Sequence, residues 1–417
     1  MPSAHSERTP QLTRRDTLLA LGGGAAGLGL WSPSAPLAAA AADQASWQNI
    51  ADQFVLDPEL AFLNTGSLGA SPKAVEQAVQ AAIKRVDTNP LAEGFGKVLN
   101  EAEQSRQVFA DLFNCKLDEV CLTRNTTDGM NLVAEGLNLQ PGDHVLTSNR
   151  EHPGGLRCWE ALAKRRGVVV DVAEIGAPPA SEDEVVASFA AKITPKTRVI
   201  SVSYVTFSSG VRTPIARLSE LAHQKGCLLA ADGAQSTGAL PIDVKALGCD
   251  TYATSGHKWM LGPKGTGLLY ISEQVRERIT PLRLEDGMGV YTAIGGTEDF
   301  AAMLGLAEAV KWAQALGQAA VYERIMSLRE QLYAALAAQP GITINSPPPG
   351  SPMASHLVCF TLKDHEKVKK ADEQFAKDKI VIKTVHHGGI DYRVGGHVYT
   401  RPEDVDRLAS SLKTVLG

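Results

Sequence analysis

Between about residues 120 and 275 short apolar runs alternate with amphipathic, helix-like stretches, and this alternation constrains the fold more than any other feature of the chain. The strand-like runs fall at 143–147, 168–173, 198–205, 227–231 and 266–271. Helical patterns lie between them at 128–137, 156–166, 182–193 and 215–225. Runs such as Val168-Val169-Val170 and Leu228-Leu229-Ala230-Ala231 lack the polar alternation of a sheet with one wet face, so they predict strands buried on both faces. The pattern predicts an α/β fold, a mainly parallel sheet covered by helices, with ligands at the carboxyl ends of its strands.

A helical stretch follows from about 297 to 338, and Pro347-Pro348-Pro349-Gly350 reads as a turn or linker. A smaller unit closes the chain: a strand at 356–362, a charged helix at 364–379, and strands at 380–385 and 392–399. A last helix is expected from Thr400, where Thr400-x-x-Glu403 fits a capping box. No internal repeat interrupts this order. A hydrophobic fraction of 44% excludes a wholly disordered chain, and a net charge of -5 offers no basic field for nucleic acid.

The longest low-polarity stretch is at the N-terminus. Arg14-Arg15 precede an apolar, glycine-rich run from Leu18 to Leu30, then Pro33, Pro36 and alanines 38–42. This order fits an export signal with cleavage near residue 42, and the arginine pair resembles the twin-arginine signal. Thr17 departs from that motif, which usually has a large apolar residue there. A membrane anchor and an ordinary secretory signal are the alternatives. The expectation is export to the periplasm, folded, through the twin-arginine machinery. Gly22-Gly23-Gly24-Ala25-Ala26-Gly27 imitates a dinucleotide loop but follows no strand. The six cysteines show no C-x-x-C spacing, and Cys227 and Cys359 sit in apolar runs as buried thiols would.

Asp232, in Asp232-Gly233-Ala234-Gln235, falls at the end of a buried apolar strand. A carboxylate there needs a partner, and a pyridinium nitrogen is one. Lys258, in Ser255-Gly256-His257-Lys258-Trp259, falls between predicted strands of the same sheet. An acid for the ring nitrogen and a lysine for a Schiff base are the two protein groups that pyridoxal 5'-phosphate (PLP) requires. Alone, Lys258 reads as a solvated loop lysine and Asp232 as a helix cap. Their joint occurrence is the signal.

With these motifs in this order, roughly residues 60 to 415 resemble class V of the PLP-dependent aminotransferase fold, which includes isopenicillin N epimerases, cysteine desulfurases and kynureninases. The resemblance implies PLP fold type I: a large domain with a mainly parallel, seven-stranded-type sheet and a smaller C-terminal α+β domain. It divides the chain into a signal at 1–42, a segment over the active site at 43–74, a PLP-binding domain at 75–310 and a small domain at 311–417. It implies that Lys258 is the catalytic Schiff-base lysine, that Asp232 pairs with the ring nitrogen and that Gln235 bonds the phenolic oxygen. His152, in Arg150-Glu151-His152-Pro153-Gly154, resembles the histidine that stacks on the ring; a capping or satisfied loop histidine is the alternative.

Arg124-Asn125-Thr126-Thr127-Asp128 resembles the phosphate loop, with Thr126 and Thr127 as ligands and as caps of a helix starting near Asp128. Ser255 and His257 resemble further phosphate ligands. Gly296-Thr297 resembles the pair with which a partner subunit completes the phosphate site, which implies a homodimer with composite sites. Arg393 matches the arginine for the substrate carboxylate, with a surface salt bridge as the alternative. Lys383 falls where some members carry a second basic residue, for a second acidic group or for none. Asn64-Thr65-Gly66-Ser67-Leu68-Gly69 resembles the segment that folds over the substrate.

The chain departs from the desulfurases. Gly388-Gly389, not a cysteine, follows His386-His387, and Phe207 stands where they have asparagine near the ring. The nucleophile that accepts sulfur is therefore missing. No carboxylate or cysteine spacing accompanies His386, His387 and His397 as a metal site would require. The expected function is a periplasmic, aminotransferase-like PLP enzyme acting on an amino group of a small molecule or peptide, such as the glutamate side group of a pyoverdine-type siderophore. An epimerase or lyase of the same family is the alternative, and a non-catalytic PLP-binding protein is the second.

Overall fold

The computed structural model describes residues 44–386 and 389–417. The signal-like segment and His387-Gly388 lie outside the described residues. In chain order the elements are α1 (Gln44–Ala51), β1 (Ala61–Phe62), α2 (Lys73–Thr88), α3 (Leu99–Phe113), β2 (Val120–Thr123), α4 (Thr126–Gly136), β3 (His144–Ser148), α5 (Pro153–Arg166) and β4 (Val169–Ala173). Then come α6 (Glu182–Ala190), β5 (Thr197–Ser203), α7 (Ile215–Gln224), β6 (Leu228–Asp232), α8 (Val244–Leu247), β7 (Thr251–Ser255) and β8 (Gly267–Ile271). The C-terminal part holds α9 (Phe300–Leu316), α10 (Gln318–Ala337), β9 (Ile342–Ile344), β10 (Val358–Leu362), α11 (Lys367–Lys377), β11 (Ile380–Val381), β12 (Lys383–His386), β13 (Ile390–Val394) and α12 (Pro402–Leu416).

The seven-stranded sheet has the order β2-β8-β7-β6-β5-β3-β4, and only β8 runs antiparallel to its neighbours. Alternate residues of one strand enter different cores: Leu229 and Ala231 face one, Leu228 and Ala230 the other. Burial on both faces explains the continuous apolar run of β6, but the expectation for Val168-Val169-Val170 is corrected: β4 is the edge strand and leaves Val169 and Val172 exposed. Strand order reverses between β3 and β5, so their carboxyl ends diverge and leave a crevice, the usual ligand position in such sheets.

The second sheet, β12-β13-β10-β9, is antiparallel and covered by α11 and α12. The N-terminal segment belongs to this unit. β1 pairs in parallel with β11, and Ala61 and Leu63 share a core with Phe360 and Leu412.

Several expectations need correction. The helical stretch 297–338 is two helices, broken at Gly317, whose φ of 89° no helix admits. The last helix starts at Pro402; Asp404 accepts from the Arg401 N–H at 2.9 Å, while Thr400 accepts from His397. α4 begins at Thr126 and is capped by Asn125, whose side chain accepts from the Asp128 N–H at 2.9 Å. All six cysteines are free, and Cys359 is buried in β10.

Candidate active site

Loops leaving the carboxyl ends of β2, β3, β5, β6 and β7 meet the N-terminal segment and β12–β13 around a cavity of about 660 Å³. Thr126, Thr127, His152, Asp232, Gln235, Ser255, His257, Lys258, Lys383 and Arg393 all line it. Asn64 stands behind the wall, its Oδ1 3.5 Å from an Arg393 nitrogen. Thr297 is exposed and lies outside the cavity of its own chain.

Asp232 ends β6 and is fully buried; one oxygen accepts from the Ala234 N–H at 2.9 Å. Its other oxygen faces Gly155, where a Cβ would stand 2.6 Å from it. Lys258 follows β7. Their attraction would lower the acid's pKa and raise the amine's, but burial outweighs it for both. Asp232 is pushed up from the ordinary range and Lys258 down to about 8. The site therefore holds a carboxyl in need of a cation and an amine close to neutrality.

At the other end, Thr126 Oγ1 and Ser255 Oγ lie 2.7 Å apart, and the Thr126 N–H donates to Ser255 at 3.0 Å. Among the described residues the Thr127 N–H has no protein acceptor, and His257 Nδ1 is buried without a partner. Burial, then Lys258, lowers His257 to about 4, so it is a neutral imidazole. Neutral donors at the start of an 11-residue helix suit a phosphate.

His152 caps α5: its Nδ1 accepts from the Gly154 N–H at 2.9 Å. Its ring meets Phe207 edge-on at 4.9 Å. Burial, Lys258, Arg393 and Lys383 lower it to about 4. Capping and cavity lining thus coexist in one residue. Gln235 is engaged at both ends of its amide, with Gly66 O and the Trp259 indole, which leaves one amide proton for a ligand. Arg393 is buried, its guanidinium pushed down to about 10 by desolvation, and it remains a cation. Its neighbours are neutral: Ser67 Oγ at 3.1 Å, Phe207 O at 3.4 Å and Asn64.

Glu151 escaped the sequence reading. It is fully buried and accepts from Ser148 Oγ at 2.5 Å, Ser203 N at 2.9 Å and Ser203 Oγ at 2.6 Å. Ser203 pairs with Asp232 across β5–β6. The sequence signal of Glu151 is an acid just after a strand, next to His152. The close approaches at Gly155 and Gly69, where a Cβ would lie 2.2 Å from Lys258 O, also have no local sequence signature.

The buried acid without a cation, the near-neutral, half-buried amine and the neutral donors at a helix start fit PLP. Lys258 would hold its aldehyde carbon, Asp232 its ring nitrogen, and Thr126, Thr127, Ser255 and His257 its phosphate. Known proteins agree. The chain is 28% identical over 397 residues to isopenicillin N epimerase of Streptomyces clavuligerus, covering 89% of this chain and 99% of that one. It is 27% identical over 389 residues to a probable cysteine desulfurase of Methanothermobacter thermautotrophicus, covering 85% and 94%. Among solved structures, a C-DES variant with glycine covalently linked to the PLP cofactor superposes with a TM-score of 0.78 at 26% identity, covering 87% and 98%. The model of the class-V aminotransferase family matches residues 69–408, and the chain belongs to that PLP-dependent family.

Proposed function

We propose that the protein is an aminotransferase-type PLP enzyme acting on the primary amine of a small molecule or peptide. The observation that carries this reading is Lys258, a half-buried amine held near pKa 8 in a cavity that also contains Asp232 and Arg393. PLP, when bound, supplies the electron sink that makes the Cα proton of a substrate amine removable. Lys258 would act as the base for that proton, a task suited to a pKa near the working pH. Arg393 fixes the substrate carboxylate through its planar fork, and Asp232 keeps the ring nitrogen protonated. His152, a neutral imidazole lining the same cavity, would lie against the ring. Thr297 of each subunit completes the other's phosphate site in a homodimer, a role supported by its exposure outside its own cavity.

A second reading, epimerisation, is favoured by the likeness to isopenicillin N epimerase. It requires a proton donor opposite Lys258. His152, lowered to about 4 and accepting at Nδ1, is a poor acid. A lyase is the remaining alternative, supported by the likeness to cysteine desulfurases, although no cysteine lines the cavity among the described residues to accept sulfur.

The site of action we infer is the periplasm, reached folded by the twin-arginine route, on the strength of Arg14-Arg15 and the apolar run after them. Within it, the glutamate side group of a pyoverdine-type siderophore is the proposed substrate, supported by the signal-like N-terminal sequence combined with this family. Single-turnover incubation of holoenzyme with candidate amines, including a glutamyl siderophore, tests the reading. One equivalent of keto product per site supports amino transfer. Recovered substrate with solvent deuterium and inverted configuration would assign epimerisation instead, and unconsumed amine from every donor would refute the proposal.

A further inference from the structure

Lys383 and Arg393 are register partners in the antiparallel pair β12–β13. Directly opposite residues place their side chains on one face, with Cβ atoms about 4.5–5.5 Å apart, and like charges there are destabilising. Both residues line the cavity. Neither has an acidic partner among the described residues: Arg393 meets only neutral groups, and Lys383 makes no hydrogen bond or ion pair.

The other charges of the cavity do not relieve this pair. Among the described residues its two acids are Asp128, bound to Arg124 at 2.6 Å, and Asp232, at the end of β6. Bound PLP would leave Lys383 and Arg393 to the substrate, because its phosphate would have neutral donors of its own at the start of α4. A fold that retains two opposed cations on one wall is matched by a ligand that brings two negative charges to them.

We propose, building on the PLP-dependent reading of the cavity, that the substrate is an amine carrying two acidic groups. The carboxylate beside the reacting amine sits on Arg393, and a second acid sits on Lys383. Aminodicarboxylates, and larger conjugates that keep two free acids near the amine, form this class.

Calorimetric titration of holoenzyme with succinate, glutarate and adipate, each against its own monoamide, tests the proposal without turnover. At least one diacid is expected to bind about three- to ten-fold tighter than its monoamide, a modest ratio because Lys383 is exposed. Lys383→Gln should remove that difference, whereas Arg393→Gln should weaken diacid and monoamide together. Equal affinities in every pair, a preference that survives Lys383→Gln, or no binding of any diacid at millimolar concentration would overturn the proposal. The cofactor absorbance of the same sample reports separately on the PLP reading, so the two can fail independently.

Discussion

Trp259 donates its indole N–H to Gln235 Oε1 at 2.8 Å, and so joins the residue after Lys258 to the residue three beyond Asp232. The same amide donates through Nε2 to Gly66 O at 2.8 Å. One side chain therefore ties the β6 end, the lysine loop and the N-terminal segment together. Gln235→Ala leaves a buried indole N–H and a carbonyl without partners, each costing about 1–3 kcal/mol. The expected result is a lower denaturation midpoint with an unchanged denaturant slope. An unchanged midpoint would show that the link contributes nothing.

Gly155 lies in α5 against Asp232. In most helix positions alanine for glycine stabilises by roughly 0.5–1 kcal/mol. Here the added Cβ would stand 2.6 Å from Asp232 Oδ2, so the buried carboxyl must move. Gly155→Ala is expected to weaken PLP binding at least ten-fold, measured by cofactor titration of apoprotein. Unaltered affinity would show that Asp232 does not anchor the ring.

Burial raises Glu151 from 4.5 to about 7 although it accepts three hydrogen bonds, and Asp232 adds to the rise. The fold thus favours the protonated acid. That contribution is full below about pH 4.5 and is lost as pH climbs through about 7. Wild-type stability should fall by roughly 3 kcal/mol across this window on account of Glu151. Glu151→Gln should lack that component. Parallel pH profiles for the two proteins would contradict the assignment.

Arg393→Ala removes the buried cation held by Ser67 and Asn64. KM for carboxylate substrates should rise at least ten-fold, while PLP affinity changes little. An unchanged KM would assign Arg393 to the structure of the β13 wall.

The parallel strands β3, β5 and β6 were legible because apolar runs covered on both faces have no other use, whereas the valine run of β4 lies at the sheet edge with Val169 and Val172 exposed. β7 was not legible: it reads Thr-Tyr-Ala-Thr-Ser. Its polar groups are buried only because distant partners satisfy them, with Thr254 donating to Gly233 O and Tyr252 hydrogen-bonded to Ser236. No local pattern carries that information. Asp232 and Lys258 could be found from chemistry because a buried charge demands a partner. Gln235 could be placed near the site, but its two protein partners could not, since Gly66 is 169 residues away. The pairing of β1 with β11, and of Lys383 with Arg393, is likewise long-range geometry.

The central claim, that this cavity holds PLP on Lys258, is tested most directly by peptide mass spectrometry of holoenzyme reduced with borohydride. The account predicts the reduced cofactor's mass on the peptide containing Lys258, and its loss in Lys258→Ala. Lys264 is the control, since its amine donates to Gly69 O at 3.2 Å and it lies outside the cavity lining. Cofactor mass on Lys264 or Lys383 with Lys258 unmodified, or on no lysine of cofactor-saturated protein, would contradict it.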